Sequence, residues 1–298
     1  PATTRKKVLI IGAGPAGLEA ARVAALRGHE VVVHEAAPNA GGQIRLTAQT
    51  QRRREMIGII DWRLAQCEKL GVSLYFNSFA DEATVTHEAP DAVIIATGGL
   101  PETAILDSGN DLVTSTWDIL SGDTRPGSNV LIYDEAGDPA GLQAADKVVA
   151  AGGKVEIMTR DRSFAPEVMA MNLVPYMRTL QRADAIFTVT WRVLSVRRDG
   201  NVLVAVCGSD YGDVTVERRV DQVIVNNATV PLDDLYFALK PQSKNLGQVD
   251  YEAFIASAPQ AVDPNPNGVF HLYRIGDAVS SRNTHAAIYD ALRLMRTI

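Results

Sequence analysis

The 298-residue chain is 46% hydrophobic and 21% charged, the balance of a folded globular protein and enough for two domains with ordinary cores. Its net charge of −6 argues against nucleic acid or an acidic membrane surface as partner, because either selects a basic face, and no run of about 18 uncharged apolar residues is present to span a bilayer. Residues 1–7 lead straight into a strand-like run without a secretory pattern, so a cytoplasmic location is the expectation. Cys67 and Cys207 have no C-x-x-C or metal-ligand spacing. They are expected to be reduced, partly buried thiols, which excludes a redox dithiol and an iron–sulfur cluster on this chain.

Val8 to Ile11 reads as a buried strand, Gly12-Ala13-Gly14-Pro15-Ala16-Gly17 as a turn entering a helix, and Val31 to Glu35 as a second strand ending in a carboxylate. Each part suits a dinucleotide. Gly12 permits the tight turn, Gly14 lets the backbone approach a pyrophosphate, and Gly17 lets the helix pack closely on the strand. The diphosphate would sit on unpaired helix N–H groups. Glu35 stands at the distance from the turn where a carboxylate accepts hydrogen bonds from the adenosine ribose and repels a 2′-phosphate.

Helical spacing continues from about Arg53 to Leu70, with Ile57, Ile60, Leu64 and Cys67 on one face, and Gly71 ends the helix. Val72 to Phe76 is a short strand, and Asp91 to Gly99 is a buried strand that runs into the small-residue turn Ala96-Thr97-Gly98. Ser121 to Gly127 has the composition of a domain crossing.

The glycine turn then recurs: Pro139-Ala140-Gly141-Leu142 repeats Pro15-Ala16-Gly17-Leu18, preceded by the strand Val130 to Tyr133 and followed by Lys154 to Thr159. Gly28 and Gly152 end the two helices. Alternation around Phe187 to Val196, Val202 to Val206 and Val214 to Arg218 predicts antiparallel strands, and Asp221 to Asn226 another buried one. Asp263 to Gly268 is turn-rich; Val269 to Ala278 is a strand entering a turn, followed by a terminal helix. The expected fold class is α/β, two Rossmann-like doubly wound dinucleotide-binding domains, the second inserted into the first. The expected boundaries are 1–123 with 265–298 for the first domain and 124–264 for the second.

Taken together, Gly12-Ala13-Gly14-Pro15-Ala16-Gly17, Glu35, Gly41-Gly42-Gln43, Ala96-Thr97-Gly98 and Gly276-Asp277 resemble the C-terminal half of the NADH:flavin oxidoreductases related to old yellow enzyme. That group includes 2,4-dienoyl-CoA reductase, trimethylamine dehydrogenase and histamine dehydrogenase. The resemblance covers this whole chain but less than half of such an enzyme. It implies that the chain is one part of a larger protein whose N-terminal (β/α)8 barrel carries FMN, the substrate pocket and the cysteines for an iron–sulfur cluster. It also implies FAD, or ADP in its place, in the first domain. Gly12, Gly14, Pro15, Ala16, Gly17, Glu35, Ala36, Gly42, Gln43, Ala96, Thr97, Gly98, Gly276 and Asp277 are the implied cofactor-binding set, with no catalytic residue and no metal ligand. Asp277 would bond the ribityl chain of FAD. The implied partners are the FMN barrel and an electron-transfer flavoprotein. Gln51-Arg52-Arg53-Arg54-Glu55 and the run His285 to Asp290 resemble the subset that oxidatively demethylates N-methylated amino acids and betaines.

The second turn departs from the pattern. Asp134 stands where the first has Gly12; Glu135 and a longer loop with Gly137 and Asp138 follow, and Thr159 replaces the acid at the strand end. Carboxylates at about 4 Å repel a diphosphate by roughly 4 kcal/mol at a protein surface, against about 0.3–1 kcal/mol from the helix dipole. The second site is therefore expected to be vestigial toward NAD(P)H. Arg160 and Arg162 leave a stand-alone NADPH-dependent FAD reductase as one alternative, and a non-redox ADP-binding module is the other.

Overall fold

The structure, a computed structural model, describes residues 2–298, which divide into two compact units. The first comprises the residues up to Ala48, Glu55–Leu100 and Thr229–Ile298; the second comprises Gln49–Arg54 and Pro101–Ala228. In chain order the first unit opens with β1 (Lys7–Ile11), α1 (Pro15–Leu26), β2 (Glu30–His34), α2 (Gln43–Thr47), α3 (Gly58–Lys69), β3 (Ser73–Tyr75), α4 (Glu82–Glu88), β4 (Ala92–Ile95) and β5 (Gly99–Pro101). The second unit contributes β6 (Thr114–Ser115), α5 (Thr116–Ser121), β7 (Asn129–Asp134), α6 (Pro139–Ala150), β8 (Lys154–Thr159), α7 (Ala170–Arg182) and β9 (Ile186–Val189). It continues through β10 (Trp191–Asp199), β11 (Val202–Ser209), β12 (Gly212–Val220) and β13 (Gln222–Asn226). The chain then completes the first unit with β14 (Thr229–Pro231), α8 (Asp234–Leu239), α9 (Tyr251–Ala256), β15 (His271–Arg274) and α10 (Thr284–Thr297).

Each unit is built on a five-stranded parallel sheet, ordered β3-β2-β1-β4-β15 in the first and β9-β8-β7-β13-β6 in the second. Strand order reverses beside β1 and beside β7, the switch points where doubly wound folds take ligands at the carboxyl ends of their strands. Both faces of each sheet are covered, which is why the strands read as unbroken apolar runs. In the first unit Val8 and Ile10 pack toward Leu18, Ala21, Ile60 and Leu294, while Leu9 and Ile11 pack toward Tyr236, Leu239 and Leu272. In the second, Val130 and Ile132 face α6 and α7, whereas Leu131 and Tyr133 face the antiparallel meander β10-β11-β12.

The units divide elsewhere than at residues 123 and 265. Residues 229–264 fall in the first unit because Tyr236 and Leu239 are buried in its core. Residues 101–123 fall in the second because β6 pairs with β13 and Ile119 packs against Ile132 and Leu142. The expected helix over Arg53 to Leu70 is also shorter: Gln51–Ile57 is a 3-10 turn, and the α-helix starts at Gly58. Gln49–Arg54 belongs to the second unit, where the Thr50 hydroxyl accepts a hydrogen bond from Gln143 at 2.8 Å. Phe187 to Val196 is two strands, one parallel and one antiparallel, because Thr190 at φ 62° turns the chain between them.

Candidate nucleotide-binding site

The first glycine turn leaves β1 at its carboxyl end and enters α1. Gly12 has φ 106°, and its N–H donates to His34 O at 2.8 Å. A Cβ on Gly12 would lie 2.4 Å from Ala96 O, and one on Gly17 would lie 1.9 Å from Gly12 O. Both glycines are therefore required by backbone packing between β1, β4 and α1, which draws Ala96 into the set. Gly14 differs. A Cβ there would meet nothing within 4 Å, so this is the position at which a ligand has room to reach the backbone. Gly14 is also the N-cap of α1 and offers no side-chain cap, and Pro15 follows at the first helical position. The N–H groups of Ala16 and Gly17 thus begin the helix without an intrahelical acceptor.

Glu35, half-buried just beyond β2, points back to this turn. One carboxylate oxygen accepts from Ala13 N at 2.6 Å and the other from Ala37 N at 2.8 Å. Since a carboxylate offers about four lone-pair sites, these two bonds orient it and leave acceptor capacity facing outward. Ala36 is exposed beside it. On the other side of the turn, Gly41 N donates to Ala13 O at 2.9 Å, and Gly42, at φ 50°, lies so close that its Cβ would be 3.6 Å from Gly14 Cα. Gln43 opens α2 and donates through Nε2 to Asp277 at 3.0 Å. Gly276, at φ 62°, packs on the first turn of α1, where its Cβ would stand 3.0 Å from Ala16 Cβ. Burial pushes the Asp277 carboxyl above its ordinary range, against the hydrogen bond from Gln43. Gly98, at φ 71°, is open like Gly14, and the Thr97 hydroxyl donates to Leu232 O.

Twelve of the fourteen expected residues thus meet around one helix start or one strand end; Ala36 lies beside them, and Gly98 O accepts from Leu232 N at 3.0 Å. Sequence reasoning missed a charged cluster on α1 and α3. Glu19, 3% exposed on α1, accepts from Arg22 at 2.7 and 3.1 Å and from Arg63 at 2.9 Å, and Trp62 lies half exposed within 5.5 Å of both guanidinium groups. The i,i+3 spacing of Glu19 and Arg22 was its one local signal. Both cysteines are free and buried, and burial pushes each thiol up to about 11, so neither is a thiolate at neutral pH. Among the described residues no group of His, Cys, Asp or Glu could hold a metal ion, and no helix is long and apolar enough to cross a membrane.

Residues 6–125 match the family described as pyridine nucleotide-disulphide oxidoreductase. Over 294 residues the chain is 63% identical to a "Probable N-methylproline demethylase" of Rhizobium meliloti, covering 99% of this chain and 43% of that protein. It is 44% identical to an N,N-dimethylglycine/sarcosine dehydrogenase of Chromohalobacter salexigens, covering 98% and 44%. Among solved structures, a 2-naphthoyl-CoA reductase superposes with a TM-score of 0.81 at 27% identity over all of this chain and 40% of that one. Lactococcus lactis thioredoxin reductase matches with a TM-score of 0.67 at 17% identity, over 98% of this chain and 97% of that one, a likeness of fold alone. The chain spans less than half the length of the curated relatives it matches. Its likeness is thus to the nucleotide-binding part of longer oxidoreductases. Within that group its relatives include proteins named for demethylating or dehydrogenating N-methylated amino acids.

Proposed function

We propose that the first unit holds FAD, or ADP in its place, as the nucleotide-binding part of a flavin-dependent oxidoreductase that acts on N-methylated amino acids. One observation carries the reading: α1 starts at an uncapped, sterically open Gly14, with the Glu35 carboxylate fixed 2.6 Å from the neighbouring Ala13 N. The residues fit an adenosine diphosphate group. Ala16 and Gly17 N–H groups receive the diphosphate, Glu35 accepts from the ribose hydroxyls, and Gly42 and Gly98 leave the backbone approachable. With FAD bound, the isoalloxazine would carry the electrons, and the chain's own task is to seat and orient it. Asp277, steadied by Gln43, follows Gly276, which packs on the first turn of α1, and a ribityl hydroxyl would be its natural partner. Substrate oxidation, an FMN barrel and a protein electron acceptor belong to this proposal as properties of the larger enzyme.

An absorbance spectrum of the purified chain, followed by chromatography of nucleotide released on denaturation, tests the reading. Flavin or ADP is expected at about one per chain; failure to bind either at millimolar concentration would sink it. Glu35→Ala is expected to weaken nucleotide binding by about 1.5–3 kcal/mol, the range for hydrogen bonds to a charged group, as read by titration calorimetry. An unchanged dissociation constant would show that the carboxylate serves the turn alone.

A further inference from the structure

We propose that Asp134, Asp138 and Asn226 form an internal plug that closes the second glycine turn to the diphosphate of NAD(P)H. The inference rests on the second unit alone and stands whether or not the first turn holds a nucleotide. In a turn open to a diphosphate, the backbone N–H groups at the helix start and just before it lack protein acceptors. Here they have them. Asp134, 2% exposed, accepts from Gly137 N at 2.9 Å, and Glu135 N and Ala136 N donate to Asn226 O at 2.8 and 3.2 Å. Asp138 caps α6 by accepting from Ala140 N at 2.8 Å, at the position that Gly14 holds on α1. Asn226 locks the arrangement. Its Nδ2 bridges Asp134 at 2.8 Å and Asp138 at 3.0 Å, while its Oδ1 accepts from Thr116 Oγ1 at 3.0 Å.

Sterics and charge agree. A Cβ on Gly141, the counterpart of Gly17, would stand 2.8 Å from the second Asp134 oxygen, so a side chain fills the space beneath the helix start. Two carboxylates there outweigh the roughly half a positive charge of a helix N-terminus. Arg160, the cation best placed for a 2′-phosphate, is itself engaged, its guanidinium 3.3 Å from Glu135. The family fold implies a nicotinamide nucleotide in this unit, and these residues do not fit one. A protein closed in this way takes no hydride from NAD(P)H through its second unit.

The test is calorimetric titration of the full chain with NADP+ and with NAD+, in the presence of excess ADP to occupy the first turn. A prior ADP titration reads the first turn separately, so its failure cannot be mistaken for failure of this proposal. The unaltered chain is expected to show no saturable binding up to about 1 mM, the upper end of ordinary cofactor affinities; saturation below about 0.1 mM would overturn the plug. Asp134→Gly with Asp138→Gly, which restores the residue types of the first turn, is expected to tighten NADP+ binding at least about tenfold. Should that chain fail to fold, Asp138→Gly alone leaves the buried Asp134 contacts intact and is expected to gain about threefold. A folded variant that binds no better than the unaltered chain would also overturn the proposal.

Discussion

Helices α1 and α6 begin with the same Pro-Ala-Gly-Leu and run for 12 residues each, but the residue before the proline is Gly14 in one and Asp138 in the other. Asp138 satisfies one of the first helical N–H groups, that of Ala140, from within the chain, and Asp134 and Asn226 satisfy the loop before it. Gly14 has no side chain with which to do so. Relative to glycine a side-chain cap is worth only a few tenths of a kcal/mol, so the first turn forgoes little stability and leaves its donors for something outside the chain. Two copies of one supersecondary unit thus differ less in shape than in who supplies the acceptors. A helix start that caps itself with carboxylates has ceased to be an anion site, however well its glycines match a motif.

The largest expected contrast lies at the third glycine of each turn. A Cβ on Gly17 would meet the Gly12 carbonyl at 1.9 Å, backbone against backbone, whereas one on Gly141 meets only the side chains of Asp134 at 2.8 Å and Asn226 at 3.2 Å. Gly17→Ala is expected to cost about 4 kcal/mol or to prevent folding of the first unit, and Gly141→Ala about 1–2 kcal/mol. Denaturant midpoints of the two variants decide it. Equal costs would mean that the plug is as unyielding as main chain.

The plug also has a pH signature. Burial raises the Asp134 carboxyl from its ordinary 3.8 to about 6; the charges of Asp138 and Glu135 push the same way, and the hydrogen bonds from Asn226 and Gly137 oppose it. The folded state then holds this proton more tightly than the unfolded chain. The contribution is therefore most favourable below about pH 4 and is lost as pH rises through 6. Asp134→Asn keeps the acceptor oxygen and removes the charge. It is expected to raise stability by up to roughly 3 kcal/mol near pH 7 and by almost nothing near pH 3, as read from thermal midpoints across that range. A variant less stable than the parent near pH 7 would show that the two donors prefer the charged carboxylate by more than burial costs.

The first turn was legible because its determinants are local: glycine spacing, a proline at the helix start and an acid one strand later. The second was half legible, since the acids stand in the sequence while the residue that ties them does not announce itself. Asn226 bonds Asp134 across 92 positions, and Gln43 meets Asp277 across 234. Domain limits failed for the same reason: Tyr236 and Leu239 sit in a stretch with no motif, and only tertiary packing on β1 and β15 assigns them to the first unit. The break at Thr190 had no signal either, because a β-branched residue is the least expected at positive φ.

The smallest expected effect is the one that isolates the cap itself. Asp138→Ala removes the hydrogen bond to Ala140 N and one of the two acceptors of Asn226, while Asp134 keeps its own bonds. The expected loss is about 1 kcal/mol, the usual value for an N-cap, confined to the second unit and visible as faster amide exchange at the start of α6. The reciprocal change, Gly14→Asp, enters open space at an extended φ of −72° and ψ of −176°, where an aspartate fits without strain. It is expected to stabilise the ligand-free first unit by only a few tenths of a kcal/mol while abolishing retention of bound nucleotide. If Gly14→Asp left nucleotide binding intact, the difference between the two turns would have to lie elsewhere than in their helix caps.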